Sequence, residues 1–200
     1  MPISQEQAVA VADWRRRVHQ LYADVRAAPS PEQGHAVWVA GRTSLFEWHP
    51  ASPRREGQAL RHAPYDPALR FVLPLVSTDP EEWVYATGTN GDAPFARIGR
   101  FEVPAVGDLD VWWLESYGGG VFVPLKDGSC GRETYGAGRY LLDTVKGADL
   151  GRVGEEWVVD LNFAYHPSCT YDPAWACPLA PAGNVVGTAL PVGELLPEGY

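Results

Sequence analysis

The first part of the chain places apolar residues with the period of an α-helix. Trp14, Val18 and Val25 are separated by four and seven residues, which puts them on one face of a helix. Ser4 precedes this run, and a glutamine lies three residues after Ser4, which is the arrangement of a capping box. The pattern therefore predicts an amphipathic helix over residues 5–27.

Two prolines, Pro29 and Pro31, end this first pattern before a second apolar run begins. The second run includes Trp38 and Phe46 and predicts another helix over residues 32–47. A His-Pro dipeptide follows, and it ends the helix because the residue before a proline avoids the α region.

From residue 69 onward the pattern changes to short runs of β-branched and aromatic residues, separated by glycine, aspartate and proline. The runs are LRFVLPLVS, PFARIGRFEV, LDVWWLES, GGVFVPLKD, GRYLLDTV and EEWVVDLNF. Short strands joined by turns favour an antiparallel sheet that curls into a barrel or a sandwich. We therefore expect an α+β fold, in which two N-terminal helices precede a mainly antiparallel, curled β-sheet.

The length of 200 residues fits a single domain over 1–200, without a repeat or a dividing linker. We expect a helical N-terminal part over 1–50 and a β-rich body over 65–200. The proline-rich tail, from Pro173, is expected to wrap the sheet as ordered coil.

The formal net charge of −9 argues against a nucleic-acid-binding protein, which needs a basic face. No apolar run reaches the ~18 residues of a membrane span. The N-terminal segment also lacks the basic start and long apolar run of a signal peptide. We therefore expect a cytoplasmic protein with neither a nucleic acid nor a membrane as partner. Fourteen arginines against two lysines are typical of a bacterial genome of high GC content.

The stretch KDGSCGRETYGAGRY, which begins at Lys126, combines cations with four glycines. Glycine lets a ligand approach the backbone, and Lys126, Arg132 and Arg139 could hold a phosphate, sulfate or carboxylate there. The alternative is structural: Arg132 and Arg139 would pair with Glu133 and Asp143 and tie down a long hairpin. The sequence leaves both interpretations open.

Metal and cofactor motifs are missing from the sequence. His166, Cys169 and Cys177 have the spacing H-x2-C-x7-C, whereas structural zinc sites need four ligands and a short cysteine pair. We expect no metal, and we interpret both cysteines as buried apolar residues. Because no phosphate-binding or dinucleotide-binding fingerprint occurs, we expect no cofactor. A thiol with a lowered pKa is conceivable at Cys130, which lies two residues before Arg132.

Several long motifs resemble one bacterial family, the domain of unknown function 1684. They are HPASP at 49–53, PYDPALRF at 64–71, YGGGVFVPLKD and GRETYGAGRYL within 117–141, and NFAYHPSCTYDPAWACPLAP at 162–181. The resemblance extends over residues 35–194 and implies a compact domain with much β-structure. It also implies that the polar hairpin and the Asn-Phe-Ala-Tyr segment form the family's signature surface. The family pattern has asparagine in place of His166, and serine or threonine near Cys130.

Two functions follow as hypotheses. The first is a small-molecule enzyme, possible in specialised metabolism, whose site lies where the hairpin meets the 162–171 loop. It would hold the oxyanion of an anionic substrate during elimination, ring closure by intramolecular displacement, or hydrolysis. Substrate-binding candidates are Lys126, Arg132, Arg139, Tyr117, Asn162 and Tyr165, and candidates for proton transfer are Glu133, Tyr135 and His166.

The second hypothesis is a non-catalytic module that binds a small anionic ligand or a partner protein. Trp112 and Trp113 are neighbours on a predicted strand, so they face opposite sides of the sheet. An exposed tryptophan among apolar neighbours would mark an aromatic patch for a partner or for homo-oligomers. A planar cofactor stacked on these rings is a weaker third idea.

Overall fold

A computed structural model describes residues 3–86 and 91–200. Two helices come first, α1 (Gln5–Ala27) and α2 (Pro31–Trp48), in agreement with the sequence pattern. The capping box before α1 is present: the Gln7 N–H donates to Ser4 Oγ, and the Ser4 N–H donates to Gln7 Oε1, each at 3.1 Å.

Ten strands follow in the described ranges: β1 (Ala59–His62), β2 (Arg70–Leu73), β3 (Glu82–Ala86), β4 (Asp92–Val103), β5 (Gly107–Leu114), β6 (Val121–Leu125), β7 (Arg139–Asp143), β8 (Arg152–Val153), β9 (Glu156–Asp160) and β10 (Glu194–Glu198). They form three antiparallel sheets with the orders β1-β10, β2-β9-β8 and β3-β4-β5-β6-β7. The α+β prediction is confirmed. The strands do not close into a barrel, because β2 and β9 pair with each other instead of extending the five-stranded sheet.

Two groups of buried apolar residues fill the interior. One lies between the five-stranded sheet and the β2-β9-β8 sheet and includes Phe101, Leu109 and Leu141. The other lies under the two helices, where the Trp38 indole N–H donates to the Tyr22 hydroxyl at 3.1 Å. The helices are therefore anchored by their own apolar faces to one end of the β-structure.

Trp112 and Trp113 on β5 face opposite sides of the sheet, as the alternation predicts. Trp112 is fully buried and its indole N–H donates to Asn184 Oδ1 at 2.8 Å. Trp113 is 42% exposed on the opposite face. Neither described helix is long and apolar enough to cross a lipid bilayer.

Candidate functional site

The hairpin between β6 and β7 buries one of its predicted anion-binding residues. The Arg139 guanidinium is 2.8 Å from Asp127 Oδ2, and both side chains are fully buried. Arg139 also donates to the carbonyls of Leu190 at 2.7 Å and Glu194 at 3.1 Å, and to that of Val192. Arg139 therefore binds the C-terminal tail to the hairpin, and the expectation that it contacts a substrate is corrected. Its carboxylate partner also differs from the two that the sequence suggested.

Asp127 is organised for this internal role. Burial alone would raise the pKa of Asp127, but the charge of Arg139 and hydrogen bonds from Ser129 outweigh it and lower the pKa. The Ser129 and Leu190 backbone N–H groups donate to Asp127 Oδ1 at 2.8 and 3.0 Å. The carboxylate is therefore fully engaged inside the protein.

The glycines of the hairpin provide close packing against other backbone segments. At Gly138, where φ is +100°, a Cβ atom would lie 2.6 Å from the Leu125 carbonyl oxygen. At Gly128, a Cβ atom would lie 2.5 Å from the Gly187 carbonyl oxygen in the tail. These glycines allow other backbone segments of the protein to approach closely, whereas the sequence had suggested that a ligand approaches there.

The remaining polar candidates of the hairpin lie in solvent. Arg132 is exposed and donates to the Gly128 carbonyl at 2.6 Å, so it folds back over its own loop. Lys126 and Glu133 are exposed, and their side chains form no ion pair within residues 3–86 and 91–200. Tyr117 is fully exposed in the β5–β6 connection. These four residues do not form a joint site through any contact in the described regions.

Tyr135 and His166, two of the candidates for proton transfer, lie close together. The Tyr135 backbone N–H donates to His166 Nε2 at 3.1 Å, and the two rings are 6.3 Å apart. Burial lowers the pKa of His166 to about 3, so the ring is neutral at pH 7 and carries its proton on Nδ1. Because Nε2 is occupied and the side chain is buried, His166 is placed to support the fold.

Glu194 organises a buried polar cluster that the sequence did not reveal. Arg42 donates to both carboxylate oxygens, the Tyr171 hydroxyl donates at 3.3 Å and the His166 N–H at 2.7 Å. His62 Nε2 lies 3.6 Å away. Burial alone would raise the pKa of Glu194, but the charge of Arg42 and the hydrogen bonds hold it well below its usual value. The cluster joins α2 to β10.

Asn162 and Tyr165 also have internal partners. Asn162 Nδ2 donates to the Asp66 carbonyl at 2.8 Å and to Asp160 Oδ1 at 2.7 Å. The Tyr165 ring lies 4.7 Å from the Arg42 guanidinium. Both predicted substrate-binding residues are buried, so in this structure they hold loops in place.

A cleft with several cations lies elsewhere, between the α1–α2 turn and the β2-β9-β8 sheet. It has a volume of about 330 Å³ and is lined by Arg26, Arg70, Arg152 and Asp160, with apolar residues at its base. We call it the arginine cleft. A neighbouring space of about 440 Å³ shares Arg70 and continues past Tyr65. The three arginines lie far apart in sequence and meet only through the fold.

Arg70 is the most available of these cations. Its Nε atom is 3.9 Å from Asp160 Oδ2, and its guanidinium makes no hydrogen bond to any residue in the described ranges. Arg26 uses one nitrogen on the Asp149 carbonyl. Arg152 uses one nitrogen on Glu155, whose carboxylate is exposed. Each arginine therefore has N–H groups that form no hydrogen bond in the described part of the chain.

Asp160 is the carboxylate that lines the cleft, and Tyr65 lies beside it in the neighbouring space. The Tyr65 hydroxyl donates to Asp160 Oδ2 at 3.2 Å. Burial raises the pKa of Asp160, although hydrogen bonds from Asn162 and Tyr65 act in the opposite direction. Burial and the charge of Asp160 raise the pKa of Tyr65. The Asp160 carboxyl group, whose pKa is raised, thus lies at ion-pair distance from Arg70.

The comparisons with known proteins agree on a family and a fold. A family model described as "Protein of unknown function (DUF1684)" matches residues 57–195. The chain belongs to this family, which confirms the resemblance in its motifs. An uncharacterized protein of Haloarcula marismortui, solved by solution NMR, is similar at 25% identity and a TM-score of 0.52, over 78% of this chain and 89% of that one. No curated protein matches the chain.

Proposed function

We propose that this member of the DUF1684 family binds a small molecule carrying a carboxylate, phosphate or sulfate group in the arginine cleft. The observation that carries the proposal is Arg70, which lines the cleft and whose guanidinium forms no hydrogen bond in the described part of the chain, with its nearest carboxylate, that of Asp160, 3.9 Å away. Arginine binds carboxylates and phosphates through two parallel hydrogen bonds, so a guanidinium that forms no hydrogen bond within the protein favours such a ligand.

The charge of the cleft supports an anion. Arg26, Arg70 and Arg152 outnumber the single carboxylate of Asp160 in its lining, although the chain as a whole has a net charge of −9. Positive charge concentrated on a concave surface attracts anions and raises their local concentration. The cleft begins at the N-terminus of α2, whose dipole adds a partial positive charge.

The size of the cleft supports a small molecule. Ligand sites in proteins are typically concavities of about 300–1,000 Å³, and the arginine cleft has about 330 Å³. The neighbouring space past Tyr65 gives room for a second group of the ligand. A metabolite with one anionic end and one larger end fits this arrangement.

A second candidate function is catalysis on the bound anion by elimination, ring closure or hydrolysis. Asp160 favours this candidate, because burial raises the pKa of its carboxyl group and its Oδ2 atom lies 3.9 Å from Arg70 Nε. We would test it by screening phosphate and sulfate esters for anion release. Release that is lost in Asp160→Asn supports catalysis, whereas binding without release supports the ligand-binding module.

Titration calorimetry with inorganic phosphate, sulfate and succinate at low ionic strength tests binding. Charge-assisted hydrogen bonds contribute about 1.5–3 kcal/mol each, so Arg70→Met should weaken binding roughly tenfold to a hundredfold. Arg132→Met removes the same charge from the exposed hairpin and is the matched control. An equal loss in both variants, or no saturable binding by the wild type, would contradict the proposal.

A further inference from the structure

Two cysteines meet in the loop between His166 and Pro178, independently of the arginine cleft. The chain turns twice there: the Thr170 N–H donates to the Pro167 carbonyl at 3.0 Å, and the Trp175 N–H donates to the Asp172 carbonyl at 3.1 Å. These turns fold the second half of the loop back onto the first. Both cysteines lie within this folded-back loop.

The two thiols lie close enough to interact with each other. Both side chains pack against the same aromatic cluster under the helices. Cys177 is buried, whereas Cys169 is partly exposed, so the pair can be reached from solvent through Cys169.

The surroundings shift the pKa values of the two thiols in opposite directions. The hydrogen bond from Cys169 is the main cause that lowers the pKa of Cys177 to about 6, and the charge of Lys146 adds to it. The same hydrogen bond and burial raise the pKa of Cys169. At neutral pH the pair thus combines a thiolate with a neighbouring thiol, as in redox-sensing cysteine pairs.

We propose that Cys169 and Cys177 form a reversible intramolecular disulfide on exposure to hydrogen peroxide. The Cys177 thiolate attacks one peroxide oxygen, the O–O bond breaks, and hydroxide leaves with a sulfenic acid on Cys177. The Cys169 sulfur then attacks the Cys177 sulfur and a water molecule leaves. The hydroxide takes up the proton that the thiolate had released, so two thiols and one peroxide give one disulfide and two waters.

Cys130 provides an internal control. Its thiol lies in the hairpin, 4.0 Å from Asp127 Oδ2, and its sulfur accepts from the Thr134 hydroxyl at 3.7 Å. It therefore has polar partners of its own and no cysteine among them. We expect it to remain a thiol when the other two cysteines oxidise.

The experiment treats reduced full-length protein with equimolar hydrogen peroxide and then blocks free thiols with N-ethylmaleimide. We expect the intact mass to fall by two hydrogen atoms, with one thiol labelled at Cys130 and a peptide linking Cys169 to Cys177. Cys130→Ser should oxidise as the wild type does. Cys169→Ser should instead give a sulfenic acid at Cys177 that dimedone traps.

Three labelled thiols after peroxide treatment would overturn the proposal, and so would a disulfide that includes Cys130. The linked peptide is measured in the wild type, so the result stands even where a cysteine variant fails to fold. Circular dichroism of each variant identifies that case. Reduction with dithiothreitol must restore three labelled thiols, and failure to do so would contradict reversibility.

Discussion

Replacing Arg139 by methionine tests whether the hairpin cation supports the fold. Methionine keeps much of the apolar volume but removes the guanidinium, which donates to Asp127 and to the carbonyls of Leu190, Val192 and Glu194. Because both charged side chains are fully buried, the variant leaves the Asp127 carboxylate without its counter-ion.

The expected loss of stability is large. Breaking a buried ion pair by removing one partner costs about 3–5 kcal/mol. The freed carbonyls of Leu190 and Glu194 add to that cost where water cannot reach them. A domain is typically stable by about 5–15 kcal/mol, so Arg139→Met should remove a substantial part of the stability. Replacing an exposed arginine would not cause a loss of stability of this size.

Urea denaturation followed by tryptophan fluorescence measures this loss. With a slope of about 2 kcal/mol per molar urea, the midpoint should fall by about 2 M. Arg132→Met should change stability by less than ~0.5 kcal/mol, because Arg132 is exposed. In the double variant Asp127→Asn with Arg139→Met, the combined cost should be smaller than the sum of the single costs. A loss below ~1 kcal/mol in Arg139→Met would contradict a structural role of the buried Arg139–Asp127 ion pair.

Three further predictions concern stability. Because burial lowers the pKa of His166 from 6.5 to about 3, only the unfolded state takes up this proton below pH 6.5. The free energy of unfolding should therefore fall by up to ~1.4 kcal/mol per pH unit between pH 6.5 and pH 3. In urea titrations, His166→Asn should have a smaller slope of stability against pH. An unchanged slope would contradict this role of His166. Asn184→Leu removes hydrogen bonds to Trp112 Nε1 and to the Asp110 and Pro124 carbonyls, so thermal and urea unfolding should show a loss of about 2–4 kcal/mol, and a loss under ~0.5 kcal/mol would contradict it. Ser4→Ala removes the α1 cap and should cost about 0.5–1 kcal/mol by the same assays; no change would contradict a capping role.

The helices could be predicted closely because their signals are local. Residues 5–27 and 32–47 were expected, and α1 and α2 span Gln5–Ala27 and Pro31–Trp48. Caps, prolines and apolar spacing act within a few residues of the helix ends. Local sequence therefore determines where these helices begin and end.

The sheets were predicted only in part. The strand-forming runs are visible in the sequence, but the pairing of β1 with β10 joins Arg61 to Leu195 across most of the chain. Likewise, β2 pairs with β9 from Arg70 to Asp160. Periodicity identifies strands and their buried faces, but it does not identify a partner so far away. The division into three sheets was for this reason out of reach.

The candidate site was the hardest part to predict. A cation beside glycines looks the same in sequence whether it faces a ligand or, as Arg139 does, carbonyls more than fifty residues away. The arginine cleft is not visible in the sequence, because Arg26, Arg70 and Arg152 belong to three separate segments. One signal was available: Arg70 interrupts the apolar run LRFVL at the start of a strand. A charge in such a run points to a site or a buried partner.

A crystal soaked in selenate shows directly whether the arginine cleft binds an anion. The anomalous signal of selenium locates the anion without reference to the protein. We expect selenate within hydrogen-bonding distance of the Arg70 guanidinium, with Arg26 or Arg152 as a second contact. Selenate at the exposed hairpin cations Lys126 and Arg132, with an empty cleft, would contradict this account.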